Sequence, residues 1–248
     1  MQKQPLISID VSTGPYSLFC EKMMQLGNDL QGGYVCVANV HMLVEAYKDK
    51  NFADVVNRST ITTPDGLPLT WALKWLYGIK QDRVAGMDLL PDLLSLASQQ
   101  NIPVLFYGGT EDVLLKTGEF LKEHYPGIPS VEFLSPPFRA LTPEETDEMI
   151  HRINSSGAKL VFVALGCPKQ EKWMASVHER VNALLVGIGG ALPVMVGMQS
   201  RAPRWMQKCG LEWLYRLLQE PGRLWKRYFV TNTIFLYLLV KEKLRKKR

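Results

Sequence analysis

The alternation of short β-branched runs with amphipathic stretches over the first 190 residues constrains this chain most strongly. Strands that alternate with helices favour a parallel sheet covered by helices on both faces. We therefore predict an α/β fold, a Rossmann-like parallel sheet flanked by helices, over residues 1–200. The predicted strands are Tyr34–Val37, Thr60–Thr63, Val104–Tyr107, Leu160–Ala164 and Ala183–Ile188, with a weaker one at Val131–Leu134, and two predicted helices are Asp112–His124 and Pro143–Asn154.

Charge is distributed unevenly along the chain. Residues 1–200 carry 16 Lys and Arg against 21 Asp and Glu, whereas residues 201–248 carry 13 against three. A short basic tail of this kind typically binds phosphate groups on a lipid, a nucleic acid or a substrate. We predict that 201–248 form a second domain, a helical basic appendage that associates with the membrane.

The tail interleaves Trp, Tyr and Leu with Arg and Lys, the pattern of a helix lying in the head-group layer. Its apolar stretch, residues 228–240, falls short of the roughly 20 residues that span a bilayer. It is expected to lie on an anionic membrane surface or to pack on the body or a partner subunit. Nucleic acid is disfavoured because no known binding motif is present.

Polar or glycine-rich segments follow the predicted strands. The carboxyl ends of parallel strands line the ligand crevice of such a sheet, so these segments predict a nucleotide or phosphate site. The Walker motif and the dinucleotide fingerprint are both absent, which disfavours an oxidoreductase. The segments are Asn39-Val40-His41, Thr63-Pro64-Asp65-Gly66, Gly108-Gly109-Thr110, Gly166-Cys167-Pro168-Lys169-Gln170-Glu171 and Gly187-Ile188-Gly189-Gly190.

Asp65 is the leading candidate catalytic residue. A carboxylate at the mouth of the crevice can take the proton of an attacking sugar hydroxyl. Pro-Asp-Gly is also a good turn sequence, and His41 is the competing base. Arg83 is interpreted either as a surface ion-pair partner or as a bidentate ligand of a diphosphate.

The remaining candidate residues admit a binding and a structural interpretation. Gly108 and Gly109 suit either a helix-entry turn or an anion-binding loop. Gln170 and Glu171 suit either sugar hydroxyls or helix capping. The four cysteines have no metal-binding spacing, so we predict no metal and no cofactor. The first ten residues lack the apolar stretch of an export signal, so we expect a cytoplasmic protein.

Taken together and in order, these motifs resemble the WecG/TagA/CpsF glycosyltransferases (glycosyltransferase family 26) over nearly the whole chain. The residues that carry the resemblance are Ala38-Asn39, Thr63-Pro64-Asp65-Gly66, Arg83-Val84-Ala85-Gly86, Gly108-Gly109-Thr110, Gly166-Cys167-Pro168-Lys169-Gln170-Glu171, Arg201-Ala202-Pro203 and Gly210-Leu211-Glu212-Trp213-Leu214-Tyr215-Arg216-Leu217.

The resemblance implies an inverting, metal-independent hexosyltransferase that uses a UDP-sugar. The acceptor would be a polyprenyl-diphosphate-linked saccharide, handled at the inner face of the cell membrane in cell-surface polysaccharide or teichoic acid synthesis. Asp65 would be the general base, and Asn39 and Gln170 would contact the substrates. Arg83 would support a diphosphate. Arg216, Arg223 and Arg227 could hold the lipid diphosphate, and members of the family form dimers or larger assemblies.

Two positions depart from the family pattern. Val37 stands where members have Thr, and Ala191-Leu192-Pro193 where members often have an aromatic-Asp pair. The donor sugar is therefore left open among N-acetylmannosamine, glucose and uronic acid forms. A second interpretation of the chain is a non-catalytic nucleotide-sugar or lipid-binding component of a polysaccharide assembly complex.

Overall fold

The computed structural model describes residues 1–30, 32–137 and 139–246. Eight strands lie in these residues: β1 (Gln2–Leu6), β2 (Ile9–Thr13), β3 (Tyr34–Ala38), β4 (Ile61–Pro64), β5 (Val104–Tyr107), β6 (Val131–Leu134), β7 (Leu160–Val163) and β8 (Leu184–Gly187).

Twelve α-helices and one short 3-10 turn, His178–Arg180, complete the described secondary structure. The helices are α1 (Tyr16–Asn28), α2 (Val40–Lys48), α3 (Lys50–Asn57), α4 (Leu67–Tyr77), α5 (Gly86–Gln99), α6 (Glu111–His124), α7 (Pro143–Ser155), α8 (Lys169–Val177), α9 (Ala191–Met195), α10 (Arg204–Lys208), α11 (Glu212–Gln219) and α12 (Pro221–Arg245).

Strands β3 to β8 form one six-stranded sheet in the order β4-β3-β8-β7-β5-β6. The pairs β3–β8, β8–β7, β7–β5 and β5–β6 run parallel. The predicted Rossmann-like parallel sheet flanked by helices is confirmed. The predicted strands Val104–Tyr107 and Val131–Leu134 agree with β5 and β6 at both ends, and the other four agree within one residue at each end.

One compact unit comprises Ser17–Cys36 and Gly86–Gln199. Its core includes Phe106, whose ring centroid lies 5.2 Å from that of Phe162 and 5.5 Å from that of Phe133. Helix α7 begins where the sequence predicts, because Thr142 and Glu145 form a capping box that satisfies two amide groups at the helix start.

The other unit comprises Met1–Tyr16, Val37–Ala85 and the described part of residues 200–248. It opens with an antiparallel β1–β2 hairpin that the sequence analysis did not predict. The hairpin is anchored within this unit, because the buried hydroxyl of Ser12 accepts a hydrogen bond of 3.1 Å from the backbone N–H of Thr62. The hairpin turn places Ile7 at φ 63°, a left-handed conformation that a β-branched residue rarely adopts, so the sequence does not indicate a turn here.

The tail of this unit ends in the long helix α12, which contacts α2 and α4. The face of α12 turned toward them is buried and carries Leu224, Thr231, Phe235 and Leu238. The helical character of the tail is thus as predicted, and packing on the body is one of the three arrangements expected for it. The division into two domains at residue 200 stays a prediction.

Candidate active site

Asp65 follows the last residue of β4 and precedes Gly66, the N-cap residue of α4. Its backbone N–H donates to the carbonyl oxygen of Ala38 at 2.7 Å and to that of Thr63 at 3.1 Å. Gly66 adopts φ 102°, which an L side chain rarely tolerates, and this lets the chain turn directly into α4. The half-buried Asp65 carboxyl is therefore held at the carboxyl end of a buried strand.

Asn39 lies next to Ala38 and caps helix α2. Its side-chain oxygen accepts a hydrogen bond of 3.2 Å from the backbone N–H of Met42. Asn39 therefore has a structural role as the N-cap of α2. Because Asp65 is bonded to Ala38, the two predicted site residues lie at neighbouring strand ends of the same unit.

The segment that carries Arg83 is bonded to the same strand end. The hydroxyl of Thr63 donates to the carbonyl oxygen of Val84 at 3.0 Å, and the backbone N–H of Val84 donates to Pro64 at 3.0 Å. These bonds bring Arg83 beside the Asp65 segment. Its guanidinium forms an ion pair with Glu212, the first residue of α11.

The second predicted group of site residues lies in the other unit, around the ends of β5, β7 and β8. Gly108 and Gly109 have φ values of 95° and 104°. A Cβ added to Gly108 would lie 2.9 Å from the carbonyl oxygen of Ala164, so close packing alone requires glycine there. The structural interpretation of this glycine is supported, and an anion-binding role for the loop stays a prediction.

Gln170 and Glu171 lie in the first turn of α8 and are both buried. The side chain of Gln170 accepts from the backbone N–H of Gly166 at 3.2 Å and donates to Glu171 at 2.7 Å. A Cβ added to Gly187 would meet the amide nitrogen of Gln170 at 2.9 Å, and one added to Gly189 would lie 3.9 Å from its oxygen. The glycines at the end of β8 and just after it thus leave room for this amide.

Glu171 is a buried carboxyl, and burial raises its pKa above the ordinary value. The hydrogen bond from Gln170 opposes this effect and is the smaller influence. The carboxyl is therefore biased toward its protonated form, and its Oε2 has no hydrogen-bond partner among the described residues. We infer that it fixes the side-chain orientation of Gln170.

A stacked aromatic pair in the same unit was missed by the sequence analysis. The rings of Tyr107 and Trp173 lie 4.0 Å apart at an angle of 9°. Burial raises the pKa of Tyr107, so its hydroxyl stays protonated. The signal available in the sequence was a tyrosine at the last position of a buried strand, directly before two glycines.

The predicted arginines of the tail divide into two groups. Arg223 and Arg227 line a pocket of about 350 Å³ formed within one unit by α2 and α12. His41, Glu45, Lys48 and Lys226 line it as well. Arg216, on α11, is not among its lining residues. The pocket combines four cationic side chains with a single carboxylate and therefore carries an excess of positive charge.

Burial lowers the pKa of His41, and the positive charge of Arg227 lowers it further. Glu45 acts in the opposite direction and Lys48 adds a smaller lowering effect. His41 is thus biased toward its neutral form in the pocket. It lies on the first turn of α2, two residues after the cap Asn39.

Helix α12 has an apolar stripe on the side opposite its buried face. Residues spaced by three or four positions share one face of a helix, and the exposed side chains follow this spacing. Phe229 is 70% exposed and Leu236 is 59% exposed. We define the α12 stripe as Trp225, Phe229, Leu236, Val240 and Leu244.

Two features are absent from the part of the chain that the structure describes. No helix there has the length and apolar character needed to cross a membrane. No group of three or more His, Cys, Asp and Glu side chains there is placed to hold a metal ion.

A comparison with known protein families matches residues 5–248 to one family model. Its description is "Glycosyl transferase WecG/TagA/CpsF family". The matched range includes every predicted site residue.

Proposed function

The chain belongs to the WecG/TagA/CpsF family of glycosyltransferases, and we propose that it moves a hexose-type sugar from a UDP-sugar to a polyprenyl-diphosphate-linked saccharide. The donor sugar is an N-acetylmannosamine type or a related hexose or uronic acid. Membership of this family implies sugar transfer from a nucleotide-sugar donor to a lipid-linked acceptor. We propose in addition that the nucleotide is UDP, that the lipid is a polyprenol and that the configuration at the anomeric carbon is inverted.

Asp65 carries the proposal. Its backbone N–H is bonded at the end of β4 to the carbonyl oxygens of Thr63 and of Ala38, the residue before the cap Asn39, and Asp65 is half-buried. A sugar hydroxyl is a weak nucleophile until its proton is removed during attack, and a fixed carboxylate can accept that proton. A single displacement inverts the configuration at the anomeric carbon, and it needs one base and no second carboxylate.

The UDP leaving group needs positive charge or N–H donors as its diphosphate departs. Arg83 is proposed to supply that charge, after exchanging its carboxylate partner Glu212 for the diphosphate. Asn39, Gln170, the Gly108-Gly109 segment after β5 and Gly189 after β8 are proposed to contact the substrates. Glu171 is proposed to act through Gln170. The reaction is proposed to need no metal ion.

The acceptor is proposed to be met at the inner surface of the cell membrane. The α12 stripe would enter the head-group layer, and Arg216, Arg223 and Arg227 would hold the diphosphate of the lipid. Exposed apolar side chains on one helix face, next to cations on the adjoining face, support a peripheral position. A homo-oligomer stays an expectation from the family resemblance.

Release of UDP from a panel of UDP-sugars, with and without a short-chain prenyl-diphosphate saccharide, tests this function. Acceptor-dependent release from one donor supports the transferase and identifies its sugar. Binding of UDP without release from any donor contradicts it, and favours a non-catalytic nucleotide-sugar-binding component of an assembly complex.

A further inference from the structure

The segment between α4 and α5 carries Arg83 and belongs to neither a helix nor a strand. It runs over residues 78–85, all of which the structure describes. Backbone groups outside helices and strands need other partners, because a polar group that is withdrawn from water without one is costly. The position of Arg83 therefore depends on how the residues on either side of it are bonded.

Gln81 supplies the bonds on one side of Arg83. Its side-chain oxygen accepts from the backbone N–H of Gly14 at 2.9 Å, and its amide nitrogen donates to the carbonyl oxygen of Gly14 at 2.7 Å. The same nitrogen donates to the carbonyl oxygen of Asp82 at 3.0 Å. Gln81 is only 9% exposed, so this amide is buried with three of its four hydrogen-bonding positions in use.

Asp82 adds a bond to the same stretch of chain. Its carboxylate accepts from the backbone N–H of Tyr16 at 3.0 Å. Asp82 is exposed, whereas Gln81 is buried, so water competes less for the bonds of Gln81. The amide of Gln81 is therefore the stronger of the two attachments to the segment that follows β2.

Val84 is bonded on the other side of Arg83, where it meets the end of β4. Its backbone N–H donates to Pro64 and its carbonyl oxygen accepts from the hydroxyl of Thr63, both at 3.0 Å. Arg83 thus lies between two residues that are attached to separate parts of the unit. A backbone held on both sides leaves the torsions of the arginine side chain as the main freedom of its guanidinium.

The β1–β2 hairpin is a fixed support for Gln81. The hydroxyl of Ser8 donates to the carbonyl oxygen of Leu43 in α2 at 2.7 Å. The backbone N–H of Asp10 donates to the side-chain oxygen of Asn57 in α3 at 2.7 Å. A series of bonds therefore runs from α2 and α3 through the hairpin to Gln81, the second residue before Arg83.

We infer that Gln81 is a positioning residue for Arg83, and that its amide holds the arginine where the guanidinium can meet the diphosphate of the donor. Bidentate binding needs the planar guanidinium at a defined place, and a displacement of about 1 Å can cost an active site about 100-fold in rate. Gln81 acts only through Arg83. The inference rests on the proposed function for the diphosphate, whereas the fixing of Arg83 against Glu212 does not depend on it.

The ion pair of Arg83 with Glu212 reports on this positioning without any ligand. Gln81→Met keeps a side chain of similar length and removes its hydrogen bonds, and Gln100→Met, at an exposed glutamine after α5, is the matched control. The coupling within the ion pair is measured from free energies of unfolding in each background. We expect Gln81→Met to reduce that coupling by at least about half and Gln100→Met to leave it unchanged. Equal coupling in the two backgrounds overturns the inference.

The affinity for UDP is the second readout, and it separates positioning from a general loss of stability. Calorimetry with UDP compares Gln81→Met, Arg83→Met and the double variant. We expect Gln81→Met to weaken UDP binding about threefold to tenfold in the otherwise unchanged chain, and less than about twofold in the Arg83→Met background. A merely structural role changes the affinity by the same factor in both backgrounds, and that result overturns the inference.

Gln81→Asn replaces Gln81→Met in both measurements if the methionine variant does not fold. Asparagine keeps an amide but is one methylene shorter, so it cannot reach both backbone groups of Gly14 from the same position. We expect it to lower the coupling between Arg83 and Glu212 as well. An unchanged coupling in Gln81→Asn overturns the inference in the same way.

These results separate the two proposals. If UDP does not bind to the unchanged protein, the proposed donor is wrong, and the coupling between Arg83 and Glu212 still decides the inference. If that coupling is unchanged in Gln81→Met, the inference fails, and acceptor-dependent release of UDP still decides the function.

Discussion

Arg83 and Glu212 form an ion pair between the segment before α5 and the first residue of α11. Their side chains are 15% and 24% exposed, so the pair is mostly withdrawn from water. Nε of Arg201 lies 3.8 Å from the other oxygen of the same carboxylate. The Glu212 carboxylate therefore lies between two arginines, Arg83 in the segment before α5 and Arg201 near the start of the tail.

We predict an energetic coupling of about 1–2 kcal/mol between Arg83 and Glu212 in a double-mutant cycle. Removing one partner of a buried pair leaves a charge without compensation, whereas removing both does not. The free energies of unfolding of Arg83→Met, Glu212→Gln and the double variant measure it. The exposed pair Arg180–Asp147 is the control, with expected coupling below about 0.5 kcal/mol. Equal coupling energies in the two pairs would show that partial burial does not strengthen the Arg83–Glu212 ion pair.

The Arg83–Glu212 pair also predicts that removing the Glu212 charge increases the affinity for UDP. If Arg83 serves the diphosphate of the donor, Glu212 competes with that diphosphate for one guanidinium. Glu212→Gln should then bind UDP about threefold to tenfold more tightly, measured by calorimetry. Arg83→Met should bind UDP more weakly than the wild-type protein. Weaker binding by Glu212→Gln would show that the pair supports the site instead of competing for it.

The α12 stripe predicts membrane association that depends on apolar area. Replacing Phe229 and Leu236 together with Ser removes two exposed side chains without touching the buried face of α12. Burying one such side chain contributes roughly 1.5–3 kcal/mol, so vesicle binding should weaken at least tenfold. Leu115→Ser, at an exposed leucine of α6, is the control for sedimentation. Unchanged vesicle binding by the double variant would show that the α12 stripe does not contact the membrane.

Glu171 predicts a pH dependence of stability. Its pKa is raised in the folded protein, so the folded state holds the proton more tightly than the unfolded state. The stability it contributes is present at low pH and is lost as pH rises from about 4.5 toward the folded-state pKa. Glu171→Gln keeps an acceptor for Gln170 and cannot ionise.

The difference in unfolding free energy between Glu171→Gln and the wild-type protein should therefore shift in favour of the variant as pH rises. The expected size is about 1.4 kcal/mol for each unit by which the folded-state pKa is raised. Denaturant titrations between about pH 4 and pH 8 measure it. Glu123→Gln, on the exposed side of α6, should run parallel to the wild type. A parallel Glu171→Gln curve would mean that Glu171 is ionised when folded.

Buried parallel strands were the easiest elements to predict, since they are continuous apolar runs bounded by glycine and polar residues. The β1–β2 hairpin was missed because Pro5 interrupts its first strand and Ile7 occupies a turn position usually taken by glycine. Short edge elements of this kind owe their stability to tertiary packing, which local patterns do not encode.

The candidate site was predictable where a residue follows a strand. Asn39 and Asp65 are fixed by strand ends, and strand ends are visible in the sequence. The pairing of Arg83 with Glu212 and the meeting of His41 with Arg227 were not predictable. Each joins positions far apart in the chain, and no local spacing records such contacts.

The Asp65→Asn variant tests the central claim most directly. Asparagine keeps the shape of the side chain and removes the base, so UDP binding should persist while acceptor-dependent UDP release falls about 10²- to 10⁴-fold. Asp112→Asn, in the exposed first turn of α6, should keep wild-type transfer. Transfer by Asp65→Asn within about threefold of the wild type would contradict the account and assign proton removal to another group.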